Sequence, residues 1–188
     1  MRVYIIRHGE SENNARNCWT GWMDVSLTAK GEEDAKKAGR VLEGVVFDRV
    51  FSSDLIRAKK TAAIALPGAS IEPLPLLREI NVGSIAGRPI QDLSDEEQRL
   101  TRTEGYQAFG GESRGELRER IRRFLQQVEE LNCPNVAAFS HAGFLMGMMS
   151  EILGMPFSGK KVFCGNCAVA VFERTPNGWR LHSWINHT

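Results

Sequence analysis

Val3-Tyr4-Ile5-Ile6-Arg7-His8-Gly9-Glu10-Ser11 is the stretch in which the fold is decided. Four β-branched or aromatic residues in a row read as a strand buried on both faces, and Gly9 lets the chain leave its end by a tight turn. Arg7 and His8 therefore stand at the C-terminal lip of a strand, which in an α/β sheet is where ligands bind. The planar fork of an arginine matches a phosphoryl group, and a neutral imidazole carries a lone pair able to attack phosphorus. Taken alone, the pair has a plain alternative: a surface arginine beside a hydrogen-bonded histidine. The choice turns on what other segments deliver to the same place.

Working outward, the same unit of apolar strand, small-residue turn and helix occurs twice more. Arg49-Val50-Phe51-Ser52 reads as a short strand, after which Ser53 or Asp54 is expected to cap a helix beginning at Leu55. That helix carries Arg57 in its first turn, beside backbone N–H groups that favour anions. Val136-Ala137-Ala138-Phe139 is a buried strand ending in Ser140-His141-Ala142-Gly143, followed by a nearly apolar helix that Gly154 and Pro156 end. Right-handed crossovers make such strands parallel, so all three turns should open on one edge of one sheet. Arg7 with His8, Arg57 and His141 then define a pocket for a phosphoryl group, each charge-assisted hydrogen bond contributing roughly 1.5 to 3 kcal/mol.

The remaining segments fill in the architecture. Thr28 is placed to cap a helix running to about Leu42, with Ala35, Ala38 and Leu42 on its inner face. Ile71 to Leu77 suggests a strand, but Pro73 and Pro75 restrict it to an edge or an extended connector. Residues 84–111 have weak periodicity, several glycines and a short capped helix at Ser94-Asp95-Glu96-Glu97, and read as an insertion that roofs the site. Ser113 and Glu116 form a capping box ahead of a helix whose apolar stripe is Leu117, Ile121, Phe124, Leu125 and Val128. Two alternating runs around Pro176-Asn177-Gly178 signal a hairpin. The expected fold is an α/β, three-layer α/β/α sandwich with a mostly parallel central sheet and an antiparallel edge strand. Residues 1–188 are read as one domain, with 84–111 as a cap over the site.

Composition narrows the function. The 188 residues are 42% hydrophobic and 25% charged, ordinary for a globular protein and ample for one core. A formal charge of +1 gives no bulk attraction for nucleic acid, so any anion binding must be local. No window is long and apolar enough for a membrane span or a secretion signal, so a cytoplasmic protein is expected. Its four cysteines, Cys18, Cys133, Cys164 and Cys167, are then expected as reduced thiols. Cys164-Gly165-Asn166-Cys167 has half-zinc or redox spacing, but lacks a second pair, and reads as incidental. His182 and His187 lie outside any motif and read as surface residues.

These motifs together resemble the histidine phosphatase superfamily, the phosphoglycerate mutase-like group. Its Arg-His-Gly-Glu-Ser/Thr signature with a following Asn is matched by Arg7 to Ser11 with Asn14. The likeness continues through Gly21-Trp22, Leu27-Thr28-Ala29-Lys30-Gly31, Ser52-Ser53-Asp54-Leu55-Ile56-Arg57-Ala58, Leu77-Arg78-Glu79, Gly110-Gly111-Glu112-Ser113 and Ser140-His141-Ala142-Gly143. It implies that His8 is the nucleophile and that Glu79 is the general acid and base. It further implies that Arg7, Arg57 and His141, helped by Asn14, hold the phosphoryl oxygens, with Thr20 and Gly21 on the substrate-facing loop. One departure stands out: where many family phosphatases carry Gly-x-Trp-Glu-Gly, this chain has Gly83-Ser84-Ile85-Ala86-Gly87, which alters one wall of the pocket.

The residues can do this chemistry. A covalent phosphohistidine divides a slow hydrolysis into two displacements, and positive groups stabilise the equatorial oxygens. Two structural alternatives stay open at this point: Glu79 paired with Arg7 or Arg57, and a zinc site of His8, His141 and Glu79. The expected function is a phosphatase of the histidine type, independent of metal and needing no cofactor, acting on a small phosphorylated metabolite. Neither nucleic acid nor membrane is an expected partner. A phosphoglycerate-type mutase and a non-catalytic phosphate-binding regulator are the alternatives.

Overall fold

Alternate side chains of the first strand serve different layers. In the computed structural model, which describes residues 1–155 and 162–186, β1 (Arg2–Arg7) sends Val3 and Ile5 into one core cluster and Ile6 into a second. β2 (Arg49–Ser52), β3 (Ile71–Pro73), β4 (Asn135–Ser140), β5 (Val169–Thr175) and β6 (Gly178–Ile185) complete one six-stranded sheet in the order β3-β2-β4-β1-β5-β6. β1 to β4 run parallel, and the expected antiparallel edge is supplied by the β5–β6 hairpin.

Helices cover both faces. Besides the single turn α1 (Glu12–Ala15), the chain forms α2 (Ala29–Val41), α3 (Ile56–Ala65), α4 (Asp95–Thr103), α5 (Arg114–Leu131) and α6 (Ala142–Leu153). α5 and α6 close the Val3–Ile5 face with Leu117, Ile121, Phe124, Phe144 and Leu145, all 0–1% exposed. Each such side chain contributes roughly 1.5 to 3 kcal/mol through burial. α2 and α3 close the Ile6 face with small residues, Ala35, Ala38, Ala62 and Ala65, which let the helices approach closely.

Caps decide several boundaries. Thr28, Ser94 and Ser113 each accept a hydrogen bond from a backbone N–H in the first turn of the helix they precede, and the last two complete capping boxes. The sequence reading errs at α3. Ser53 accepts from Leu55 N, before the helix, and Asp54 is drawn off to Arg78, whose Nε donates to it at 2.8 Å. The helix start at Ile56 N is capped by Asp24, delivered from 32 residues upstream. Ile71–Leu77 also divides: the strand stops at Pro73, and Pro75–Leu77 is a 3-10 turn. The helix expected at Ser94–Glu97 runs on to Thr103. Gly154, at φ +63, ends α6, whereas Pro156 lies outside the described residues.

Two relationships position the functional groups. The register sets Arg7 beside Ser140 and Ser52 beside Phe139, so β1, β2 and β4 end level with one another. The segment over residues 84–111 is stitched across the top by main-chain hydrogen bonds to the loop after α1: Trp19 N to Arg88 O at 2.9 Å, Gly87 N to Trp19 O at 2.8 Å and Ile90 N to Asn17 O at 2.9 Å. Ile85, at the altered Gly83–Gly87 stretch, is fully buried in the core beneath this segment. Among the described residues, no helix is long and apolar enough to cross a membrane.

Candidate active site

The level strand ends bring His8, Ser53 and His141 side by side, each the first residue past its strand. His8 N donates to Ser140 O at 3.0 Å, and Ser53 N donates to Phe139 O at 2.8 Å, so the ladder continues one step into the site. The two imidazoles stand edge to face with centroids 5.1 Å apart. His8 is 3% exposed and His141 is fully buried.

Hydrogen bonds fix the chemical state of His8. Its Nδ1 lies 2.6 Å from Gly9 O, a carbonyl that can only accept, so the ring proton sits on Nδ1. The lone pair is left on Nε2, to which Arg57 Nε donates at 3.2 Å. Burial, aided by Arg57 and then Arg7, holds the His8 pKa well below the usual imidazole value. His141 is held low too, first by burial and then by Arg57 and His8. Both rings are therefore neutral at physiological pH. His141 Nε2 meets Ser53 Oγ at 2.9 Å, while its Nδ1 is buried with no partner, as is Arg7 Nε.

Gly9 has a different physical reason from the expected turn. Its φ is not left-handed; an added Cβ would lie 2.2 Å from Gly31 O, where the start of α2 presses against the turn. Gly9 N donates to Thr61 Oγ1 at 3.0 Å, locking that turn to α3.

Arg57 is 1% exposed, and its guanidinium is held by the carbonyls of Gly21 at 2.8 Å and Met23 at 2.9 Å. Burial brings its pKa down to about 10, with Glu79 and Asp24 opposing the fall, so it stays cationic at neutral pH. Arg7 donates to the carbonyl of Cys164, and Asn166 Nδ2 donates to both His8 O and Asn14 Oδ1 at 3.2 Å. Glu79 is aimed by backbone, with Oε1 accepting from Ile80 N at 2.9 Å and Oε2 from Gly143 N at 3.2 Å. Its charge still reaches Arg57, though the carboxylate is held by these main-chain donors. The zinc reading fails, because a cation at His8 Nε2 would meet the Arg57 guanidinium. Among the described residues, no three His, Cys, Asp or Glu side chains are grouped to hold a metal ion.

One cavity of about 400 Å³ is lined by Arg7, His8, Asn14, Thr20, Gly21, Arg57 and Glu79. Of the residues picked from sequence, only His141 is absent from its lining; it stands directly behind, with its neighbours Ala142 and Gly143 on the wall. Several supports were not picked. Ser53, Thr61 and Asn166 hold the rings and the turn. Arg120 donates to the carbonyls of Leu76, Arg78 and Glu79 at 2.7, 2.6 and 3.3 Å, and pairs with Glu112 at 2.8 Å. Glu112 in turn accepts from Asn81 N at 3.2 Å, so this pair splints both sides of Glu79. Glu112, within its Gly-Gly-Glu-Ser motif, and Ser53, within Ser52–Ala58, had a sequence signal; Arg120 is one of several arginines on α5.

Burial pushes the thiols of Cys164 and Cys167, the pair read as incidental for want of a second one, up to about 11 and about 12, which disfavours the thiolate. His182 is exposed, and His187 lies outside the described residues.

Comparison with known proteins identifies the family. The chain is 32% identical over 197 residues to a Salmonella paratyphi A protein named "Probable phosphoglycerate mutase GpmB", covering 100% of this chain and 92% of that one. The alpha-ribazole phosphatase of Shigella flexneri superposes with a TM-score of 0.84 at 26% identity, covering 97% and 95% of the two chains. The phosphoserine phosphatase of Entamoeba histolytica, solved with 3-phosphoglyceric acid, shares the fold at a TM-score of 0.85 and 23% identity, covering 99% and 97%. The model of the histidine phosphatase superfamily (branch 1) matches residues 3–187, and the chain belongs to that family.

Proposed function

We propose that this protein is a metal-independent phosphatase that hydrolyses a small-molecule phosphate monoester through a phosphohistidine. The observation that carries the reading is the state of His8: its Nδ1 proton is held by Gly9 O while Nε2 keeps its lone pair beside two arginines, in the cavity that also holds Glu79.

In the first displacement the Nε2 lone pair of His8 bonds to phosphorus. The ester P–O bond breaks, and the leaving oxygen takes the proton of the Glu79 carboxyl. In the second, Glu79 takes a proton from water, the hydroxyl oxygen bonds to phosphorus, and the P–N bond breaks to return neutral His8 and release phosphate. Arg7, Arg57, Asn14 and His141 hold the phosphoryl oxygens, with Thr20 and Gly21 beside them, so that stabilisation of charge falls to guanidinium and imidazole. Glu79's proton transfers are worth about 10²- to 10⁴-fold.

On this reading residues 1–188 work as one domain, and residues 84–111 cap the site, excluding water. A cytoplasmic setting suits the free cysteines among the described residues. A mutase is the second reading, favoured by the name of the Salmonella relative. Purified protein incubated with phosphate monoesters under a chelator separates the two. Phosphate release that is lost in His8→Ala supports the phosphatase. Isomerised 3-phosphoglycerate without net release supports the mutase, and silence across the panel refutes both.

A further inference from the structure

Beyond the phosphoryl end, the cavity changes character. Its charged lining residues are Arg7, Arg57 and Glu79, all of which serve the reacting phosphorus on the proposed reading. The larger apolar side chains of the wall are Trp19, Ile80, Val82, Ile90, Tyr106 and Met146, with the Cys18 thiol among them. Trp19, whose indole N–H is buried without a partner, and Tyr106 stand edge to face with centroids 5.7 Å apart.

The nearby cations are engaged elsewhere. Arg78 is bound to Asp54 and stacked over Trp22, Arg88 is paired with Glu97, and Arg120 with Glu112; Arg114, whose charge reaches Tyr106, donates to Thr101 O at 2.7 Å and does not line the cavity. The apolar character continues outward to the rim. Trp22, Met23 and Ile90 are 39%, 41% and 40% exposed, among the more exposed large apolar residues of the described chain. They belong to the two segments that the Trp19–Arg88 and Asn17–Ile90 main-chain bonds hold together. A substrate carrying a second anionic group would leave it facing this wall without a cation, at a desolvation penalty.

We infer that the leaving group is an uncharged alcohol with an apolar skeleton, linear or aromatic, large enough to reach from His8 to the Trp19–Ile90 rim. The inference rests on the phosphatase reading and names its substrate class; small phosphorylated acids such as phosphoglycerate are excluded from good substrates. Ile90 is then a specificity-determining residue, placed where the skeleton leaves the cavity.

A homologous series of straight-chain alkyl phosphates tests it, because the leaving-group pKa barely changes while buried apolar area grows. From ethyl to hexyl phosphate, kcat/KM should rise by up to roughly fourfold per methylene, the fold-change that about 0.8 kcal/mol per buried methylene gives. Hexyl phosphate should exceed 3-phosphoglycerate by at least about tenfold. Ile90→Lys should reverse that preference, lowering hexyl phosphate and raising 3-phosphoglycerate. The matching alkylphosphonates, which cannot be hydrolysed, report binding alone by calorimetry and should tighten along the same series.

Hydrolysis of every ester with no dependence on chain length overturns the inference and leaves the phosphatase reading standing. Phosphonate binding that tightens with length, without phosphate release from any ester, keeps the apolar site and sinks the phosphatase. Phosphonates that bind equally at all lengths, or none that bind, overturn the inference outright.

Discussion

Gly143→Ala is expected to separate catalysis from stability. Gly143 is the second residue of α6, and its N–H is one of the two donors that aim Glu79. A Cβ at this position would lie 2.3 Å from Glu79 Oε1 and 3.2 Å from its Cδ, where ordinary contact begins at 3.4 Å. The carboxylate must therefore retreat by about 1 Å. Ile80 Cγ2, at 3.1 Å, has to give by only a few tenths of an ångström. The displaced oxygen ends a flexible side chain, so the fold loses little, and alanine's better helix propensity returns up to about 1 kcal/mol. Catalysis is less forgiving, since a misplacement of about 1 Å can cost on the order of 10²-fold.

Steady-state phosphate release and a thermal melt on the same preparation provide the check. For alkyl monoesters kcat/KM should fall roughly 30- to 100-fold. For aryl monoesters, whose leaving group needs little protonation, the loss should stay under about tenfold. The melting temperature should hold or rise. Alkyl activity within about threefold of the parent would refute the placement of Glu79, as would equal losses for both ester classes. A melt lowered by more than about 5 °C would refute the claim that the clash is relieved by the side chain alone.

Glu79→Gln keeps the shape but cannot donate or accept the same proton, so alkyl phosphates should lose about 10²- to 10⁴-fold and aryl phosphates distinctly less; rapid-quench rates with both classes decide. Arg120→Met leaves Glu112, 11% exposed, without its partner and frees three carbonyls. It should lower stability by about 3 kcal/mol in denaturant melts, and Glu112→Gln in the same chain should recover part of that; a neutral outcome for the single variant contradicts the splint. His8 and His141 titrate below 6.5 in the fold and near it when unfolded. As pH falls below about 6.5 the unfolded chain takes up protons that the fold refuses, so stability is complete above that pH and declines beneath it. Ring NMR should show both imidazoles neutral from pH 8 down to 6.5, and an inflection at or above 6.5 in either ring counts against the burial argument.

What could be read beforehand is what local chemistry dictates. The run Val3–Ile6, the capping serines at 94 and 113 and the stripe on α5 each announce their element through a pattern contained within a few residues. The three lips were legible because parallel crossovers leave little choice of where strand ends point. Misreadings arose where a distant group won the competition. Asp54 looks like the cap of α3, yet a bidentate arginine is a stronger partner than a backbone N–H, and Asp24 takes its place. Arg120 offered no signal at all, because on sequence it is one more basic residue on a solvated helix face, and only the fold turns it toward three carbonyls. The apolar half of the cavity was hidden for the same reason: Trp19, Ile80, Ile90, Tyr106 and Met146 come from five separate stretches of chain.

The burial of Arg57 ties these parts together. Taking a guanidinium out of water is penalised by several kcal/mol unless its donors find acceptors. Here two of them are the main-chain carbonyls of Gly21 and Met23, so the loop carrying Trp19, Thr20 and Trp22 is fastened to the same group that touches His8 Nε2. Gly21 itself stands at φ +52 with Val82 packed against it, which leaves the loop no easy alternative path. The wall that would recognise the alcohol and the cation beside His8 are thus one hydrogen-bonded unit. On the proposed reading, a substrate that displaces the loop also displaces Arg57, and with it the group that touches His8 Nε2. A poor fit at the apolar end should therefore depress kcat as well as raise KM, because part of the binding interaction there is expressed only when the reacting groups are aligned.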